Sequence, residues 1–159
     1  MFGFLKPILI FPQTLNVSYH EKLWAVKHIF IANKAKKISK EAYNISEHVM
    51  RDSLLDFDTN GGLVDAFRHA YWMARLAQEI NPKKAIRLGN AHEKKNYKEF
   101  LRGVSLVHDS VSIRMDLLNN KIGVKIGLNH KDYNKEKLKS IVINSIKSGD
   151  FFIIKKDFE

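Results

Sequence analysis

The most constraining feature of the chain is the uninterrupted run over residues 63–80, LVDAFRHAYWMARLAQEI, which contains neither glycine nor proline. Gly61 and Gly62 precede it and Pro82 follows it. Glycine permits positive φ angles and proline cannot continue a helix, so both ends of the run are marked. Apolar residues recur within it at three- and four-residue spacings. The run therefore predicts one central helix that begins after a loop over residues 56–62.

The same periodicity predicts about five helices in an all-α, single compact domain covering residues 1–159. The first is a long pattern after residues 16–18, with a break expected near Ser39. Further helices are expected from near Pro82, over residues 112–127, and between Asn134 and Gly149. Short extended segments are expected at both termini. The FFIIKK segment, residues 151–156, is consistent with either a short strand or a packed extended stretch.

Composition excludes several classes of protein. With 45% hydrophobic and 28% charged residues, the chain is globular rather than disordered or fibrous. The absence of cysteine excludes disulfides, thiolate metal sites and a cysteine nucleophile. Residues 1–12 are apolar but are interrupted by Pro7 and Pro12, so we expect an extended segment over the core rather than a signal peptide, with a membrane-surface strip as the alternative. No stretch reaches the ~18 to 20 apolar residues of a transmembrane segment.

The formal net charge of +10 indicates either an anionic partner or a lysine-rich surface that serves solubility. A positive field attracts nucleic acid, anionic lipid surfaces or an acidic protein. We expect the chain to reside in the cytoplasm of the producing cell, with export by a route that needs no signal peptide as the alternative.

In the central helix, a narrow stripe carries Asp65, Arg68, His69 and Trp72, because residues three and four apart stack on one face. Asp65 stands four residues before His69, where a carboxylate can orient an imidazole that acts as a base or a metal ligand. The alternative is an interior hydrogen bond with a purely structural role.

The next helix offers His92 and Glu93 in the run GNAHEKKN. Adjacent helical residues project about 100° apart, so both cannot point at one place. We expect His92 to face the site and Glu93 to reach it from the edge. Gly89, on the same face as His92, would let another backbone or a ligand approach. The alternative is a solvated helix with an incidental histidine.

The run MDLLNN places Asp116, Asn119, Asn120 and then Gly123 on the following helix. Asparagine is a poor choice for a helix interior because its amide competes with the backbone. The two amides are therefore expected to hold a ligand or to bridge polar residues across the core. Local hydrogen bonds that kink the helix are the alternative.

Together, the three helices predict a hydrolytic or metal site. A divalent metal bound by His69, His92 and Asp116, with Glu93 as general base toward water, is one possibility. A metal-free acid/base pair with asparagines that orient the substrate is the other. The His108-Asp109 doublet is expected to be a surface turn. The catalytic candidates are His69, His92, Glu93 and Asp116. The substrate-binding candidates are Arg68, Trp72, Asn119 and Asn120.

The order NIS, DAFRHAYW, GNAHE and MDLLNN resembles an uncharacterised bacterial domain family that occurs at the C-termini of polymorphic, Rhs-type toxins and as small standalone proteins. The resemblance covers residues 44–127, while the first 43 residues lie outside it. It implies an effector or toxin role and an acidic, immunity-type partner. Its characteristic positions fall on Arg68, His69, Trp72, His92, Glu93, Asp116, Asn119, Asn120 and Gly123.

The sequence thus favours a hydrolase-type effector that acts on an anionic substrate, a phosphodiester or a phospholipid. A non-catalytic basic binding module with a structural polar network is the alternative from another class. A peptidoglycan-cleaving enzyme with Glu93 and Asp116 as paired carboxylates is a second enzymatic alternative.

Overall fold

The computed structural model describes residues 17–103 and 110–154, and these form six α-helices without a strand. The all-α prediction is confirmed, with one helix more than the approximately five expected. The helices are α1 (Tyr19–Lys27), α2 (Ile29–Arg51), α3 (Leu63–Glu79), α4 (Pro82–Leu101), α5 (Ser110–Asn129) and α6 (Lys135–Lys147).

The extra helix arises because the first predicted helix is divided at His28, not near Ser39. His28 has φ −132° and ψ 43°, which ends α1 and begins α2. Ser39 stays helical, since its hydroxyl donates to the carbonyl of Ala35 at 3.0 Å. At the start of α1, Ser18 and Glu21 form a capping box in which each side chain accepts from the other's backbone N–H.

The centre of the fold is α3, which packs against α2, α4, α5 and α6. Almost every side chain from Val64 to Ala77 is buried, including Phe67, Tyr71 and Met73. A helix that is buried on nearly all sides must place its polar residues against other protein groups. This position explains why α3 can carry charged side chains into the interior.

Small residues bring α3 and α5 into close contact. A Cβ atom added at Gly123 would lie 2.4 Å from the carbonyl oxygen of Ala70, and one at Gly127 would lie 2.3 Å from that of Ala74. Two glycines four residues apart therefore face two alanines four residues apart. This contact sets the distance between the polar residues that the two helices carry.

The ends of the helices follow the sequence signals. Asp56 caps α3 by accepting from the amides of Leu63 at 2.7 Å and Val64 at 3.0 Å. Gly61 has φ +90°, as the loop sequence indicates, and Gly149 has φ +81° just after α6. Asn134 caps α6 by accepting from the amide of Lys137.

Residues 151–154 form a packed extended segment rather than a strand. The amide of Ile154 donates to the carbonyl of Gly61 at 2.8 Å, which joins this segment to the loop before α3. The expectations for residues 1–12, for His108-Asp109 and for the last part of FFIIKK lie outside the described residues. Within the described ranges, no helix combines the length and the apolar character needed to cross a membrane.

Candidate functional site

A cluster of buried polar side chains lies where α3, α4 and α5 meet. Its centre is His69 of α3, which is 4% exposed. Around it stand Asp65 from the same helix, Glu93 from α4, and Asp116 and Asn120 from α5. Each of these residues is at most 3% exposed. We call these five residues the polar cluster.

The position of His69 is fixed by Asn120. The Nδ1 atom of His69 lies 3.1 Å from Oδ1 of Asn120, and an amide oxygen can only accept, so Nδ1 donates. In the neutral ring, Nε2 then carries a lone pair. That atom lies 3.5 Å from Oδ1 of Asp116 and 3.7 Å from Oδ1 of Asp65. Three hydrogen-bond acceptors therefore face one another in the interior.

Two carboxylate oxygens of the polar cluster have no hydrogen-bond donor within the described part of the chain: Oδ1 of Asp116 and Oε1 of Glu93. Oε1 of Glu93 lies 3.9 Å from Nδ1 of His69, and its Oε2 accepts from Asn96 at 2.9 Å. The amide nitrogen of Asn120 is likewise without an acceptor among the described residues. Buried polar atoms in folded proteins are usually satisfied, so three orphans in one place need an explanation.

The electrostatics of the polar cluster favour its neutral forms. Burial, and then the negative charge of Asp65, raise the pKa of Asp116 to about 8. Burial also raises the pKa of Glu93, although His69 and His92 oppose this shift. Burial lowers the pKa of His69 despite the nearby carboxylates. With its carboxylates ionised, the polar cluster would hold more acceptors than donors, and burial disfavours that state.

His92 and Glu93 exchange the positions expected from the sequence. Glu93 is buried and faces His69, whereas the side chain of His92 is 33% exposed. Nδ1 of His92 pairs with Oε1 of Glu21 on α1 at 3.0 Å. The reason is the angular separation of adjacent helical residues, since only one of the two can point inward. The ring of His92 still lies 6.2 Å from that of His69, at the edge of the site, but it is not placed as a third ligand beside Asp116.

Arg68 and Trp72 connect the polar cluster to the surface. A guanidinium nitrogen of Arg68 donates to Oδ1 of Asp65, and the side chain is 30% exposed. Trp72 donates its indole N–H to Ser39 at 2.9 Å, and its ring lies 5.5 Å from that of His92. Both residues line an open cleft.

Asn119 does not join the polar cluster. Its amide nitrogen donates to the carbonyl of Phe152 at 2.9 Å, and its amide oxygen accepts from the amide of Phe152 at 3.0 Å. Asn119 is completely buried, and this pair of bonds holds the extended C-terminal segment. The two neighbouring asparagines thus bond to different partners, Asn120 to His69 and Asn119 to Phe152, because they project in different directions from α5.

The cleft has a volume of about 930 Å³ and lies between α1, α2, α3 and α4. His69 and Asn96 lie at its inner surface. Its charged lining residues are three cationic ones, Arg68, Lys36 and Lys95, and three acidic ones, Glu21, Glu47 and Glu99. A second pocket of about 400 Å³ lies on the other side of Trp24. None of the described residues that line the second pocket is acidic, and its basic residues are His20, Lys27, His28, Arg87 and Lys94.

Sequence reasoning missed three contributors. Asp65 was expected only to orient His69, yet it stands beside Asp116 as a second carboxylate near Nε2. Asn96 shares a helix face with His92, and it bonds Glu93 instead. Glu21 gives no sign of a partner in the sequence, since His92 is 71 positions away.

Comparison with family models identifies the chain. A model described as "Domain of unknown function (DUF6973)" matches residues 22–150. The chain belongs to this family. The matched range extends beyond the motif-bearing residues 44–127 on both sides and includes all six helices except the first residues of α1. Comparisons with curated proteins and with solved structures return no significant match.

Proposed function

We propose that this DUF6973 domain is a hydrolase that acts on an anionic substrate of the phosphodiester or phospholipid class. The observation that carries the proposal is the polar cluster, whose unpaired catalytic-type groups surround His69 at the inner surface of a cleft that Arg68 also lines. Structural polar networks in protein interiors are normally satisfied, whereas a site that handles substrate and water keeps groups free.

The orphaned atoms have the properties that hydrolysis requires. Glu93 presents a free oxygen, and its raised pKa brings the carboxylate closer to the range in which a general base is effective. The free amide N–H of Asn120 can donate to negative charge that develops in the transition state. His69 connects the two and lies at the inner surface of the cleft.

The support for an anionic substrate comes from Arg68. This residue is partly exposed and offers a planar guanidinium, which matches a phosphate group with two parallel hydrogen bonds. Lys36 and Lys95 line the same cleft, but three glutamates line it as well: Glu21, Glu47 and Glu99. The described lining therefore has no excess of positive charge, and the net charge of +10 is a property of the whole chain.

The test is a hydrolysis screen with three substrates: a chromogenic phosphodiester, plasmid DNA and anionic phospholipid vesicles. The full chain is compared with Glu93→Gln and with the control Glu136→Gln, which removes an exposed carboxylate from α6. We expect Glu93→Gln to keep the fold and to lose turnover, while Glu136→Gln retains it. Full turnover in Glu93→Gln removes Glu93 from the mechanism, and absence of turnover on all three substrates by the full chain contradicts the proposed substrate class.

A binding module without catalysis is the second candidate, and the basic second pocket favours it. This function predicts that the full chain binds polyanions without converting them. It further predicts that Lys27→Ala/Arg87→Ala weakens binding, while Glu93→Gln leaves it unchanged.

An effector role, which the sequence resemblance implies, predicts that expression of the full chain arrests bacterial growth and that Glu93→Gln relieves the arrest.

A further inference from the structure

The ligand-type atoms of Asp65, His69 and Asp116 all lie within 4.8 Å of one another. All three side chains are buried, and one oxygen of Asp116 has no donor among the residues that the structure describes. An imidazole lone pair and two carboxylate oxygens repel one another in a low-dielectric interior unless a cation lies between them. The site therefore needs a proton or a metal ion at its centre.

We propose that a divalent first-row transition metal, such as Zn²⁺ or Mn²⁺, binds between Asp65, His69 and Asp116. This inference deepens the proposed function and rests on it for the role of the ion, but the binding itself is independent of any substrate. One nitrogen and two oxygen donors suit such a metal, and the three protein ligands leave positions open for water or substrate. Arg68 donates to Asp65, and Glu93 lies on the opposite side of the imidazole, 3.9 Å from Nδ1 of His69.

The distances fit this coordination. Metal–ligand distances of about 2.0–2.2 Å place neighbouring ligand atoms ~3.0–3.5 Å apart in tetrahedral or octahedral geometry. Nε2 of His69 is 3.5 Å from Asp116 and 3.7 Å from Asp65, so small side-chain movements complete the geometry. The close contact of Gly123 with Ala70 holds α5 against α3. This contact keeps Asp116 of α5 near His69 and Asp65 of α3.

The surroundings of the three ligands support metal binding more than a shared proton. Nδ1 of His69 donates to Oδ1 of Asn120. In metal-bound histidines, the ring nitrogen that does not bind the metal usually donates such a hydrogen bond. Oδ2 of Asp65 accepts from the amide of Gly61 at 2.7 Å, which fixes that carboxylate as well. A proton shared between His69 and Asp116 would join two of the three atoms and leave Oδ1 of Asp65 to Arg68 alone, whereas a metal ion binds all three at once.

Arg68 is the one feature that opposes a cation, because it already donates to Oδ1 of Asp65. The arginine side chain is 30% exposed and long enough to turn into the cleft. An ion bound to Asp65 neutralises the negative charge of this carboxylate in place of Arg68. Arg68 is then available to an anionic substrate. Metal binding and substrate binding are thus coupled through a single carboxylate oxygen.

The experiment is a titration of the metal-free full chain with Zn²⁺ and with Mn²⁺. Calorimetry measures the affinity and the stoichiometry, and thermal unfolding measures the stabilisation. We expect one ion per chain. Asp116→Asn keeps the shape of the side chain and removes a ligand charge, so it should weaken binding about 100-fold or more. Asn120→Ala, which removes the hydrogen bond to His69, should weaken it about 10- to 100-fold. Asp132→Asn, an exposed carboxylate between α5 and α6, is the matched control and should leave affinity unchanged.

The wild-type chain also gives a test that needs no variant. The ring nitrogen resonances of His69 should shift on addition of Zn²⁺, with the change at Nε2 rather than Nδ1. Absence of binding by the wild-type chain, or equal affinity in Asp116→Asn, overturns the proposal. If the metal binds but none of the three substrates is hydrolysed, the metal site stands and the proposed function fails. If hydrolysis persists in chelator-treated protein and the titration shows no bound ion, the proposed function stands and the metal site fails.

Discussion

Replacing Gly123 with alanine tests whether contact between α3 and α5 controls the candidate site. The added Cβ would lie 2.4 Å from the carbonyl oxygen and 2.8 Å from the Cα of Ala70. Both are backbone atoms of a buried helix, so they cannot rotate away as the end of a side chain could. Ordinary contact begins near 3.4 Å, and α5 must therefore move away from α3 by about 1 Å at this point.

The cost of that movement follows from two opposing effects. Overpacking of a close-packed core destabilises by roughly 1–3 kcal/mol, and a clash with backbone falls at the upper end. Alanine gains about 1 kcal/mol over glycine in a helix interior. The expected net loss is therefore about 2 kcal/mol in the free energy of unfolding, which corresponds to a decrease of about 4–8 °C in Tm for a chain of this size. Asp116 and Asn120 move with α5, so the function of the site should be impaired further than stability alone explains.

The assay is denaturant and thermal unfolding of Gly123→Ala, together with Gly127→Ala, which has an equivalent contact with Ala74. Gly89→Ala is the graded control, because its nearest neighbours are the side chains of Asn120 at 3.1 Å and Met73 at 3.3 Å. Methionine adapts readily, so this variant should lie close to wild type. If Gly123→Ala is as stable as wild type, or more stable, α5 does not approach α3 as closely as described and the argument about the site fails.

Three other predictions follow from contacts described above. Asn119→Ala should destabilise by about 1–3 kcal/mol and should increase hydrogen exchange at the amide of Phe152, which loses its acceptor; unchanged exchange would show that the segment is held by other contacts. Asp56→Ala should cost about 1–2 kcal/mol by leaving two amides of α3 without a partner, and Asp52→Ala, at the C-terminal end of α2, serves as its control in the same unfolding measurement. The pair of Glu21 and His92 should make stability depend on pH in both directions. Although burial opposes it, His92 lowers the pKa of Glu21 from 4.5 to about 2, so this contribution is present above pH 4.5 and is lost as the pH falls toward 2. Despite its burial, the Glu21 hydrogen bond raises the pKa of His92 above 6.5, so that contribution is present below pH 6.5 and is lost as the pH rises through the raised value. Unfolding measured against pH should show both changes in wild type. In Glu21→Gln the change at low pH should lose the Glu21 contribution, and the change at high pH should become smaller, since Glu93 still raises the pKa of His92.

Local signals predicted the helices better than their connections. The ends of α3 and α6 follow from Asp56, Gly61, Asn134 and Gly149, whose caps and positive φ angles depend on nearby residues alone. The division at His28 had no such signal, because His28 makes no side-chain cap. It depends on the packing of α1 against α4, where Trp24 donates to the carbonyl of Lys84 at 3.1 Å.

The candidate site shows the same limit. Helical spacing brought Asp65, Arg68 and His69 to one face, and the structure places them together. Spacing could not decide whether His92 or Glu93 points inward, since that choice depends on the rotation of α4 against α3 and α5. For the same reason, the sequence could not assign Asn120 to His69 and Asn119 to Phe152.

The position of α1 has a consequence for regulation. This nine-residue helix forms one side of the cleft, and the Glu21–His92 pair and the hydrogen bond from Trp24 to the carbonyl of Lys84 join it to α4. Its outer face leaves Tyr19 and Val26 exposed by 68% and 74%. A protein that bound this outer face and displaced α1 would disrupt the cleft without entering it. Under the proposed function, inhibition through α1 would therefore require no molecule that resembles the substrate.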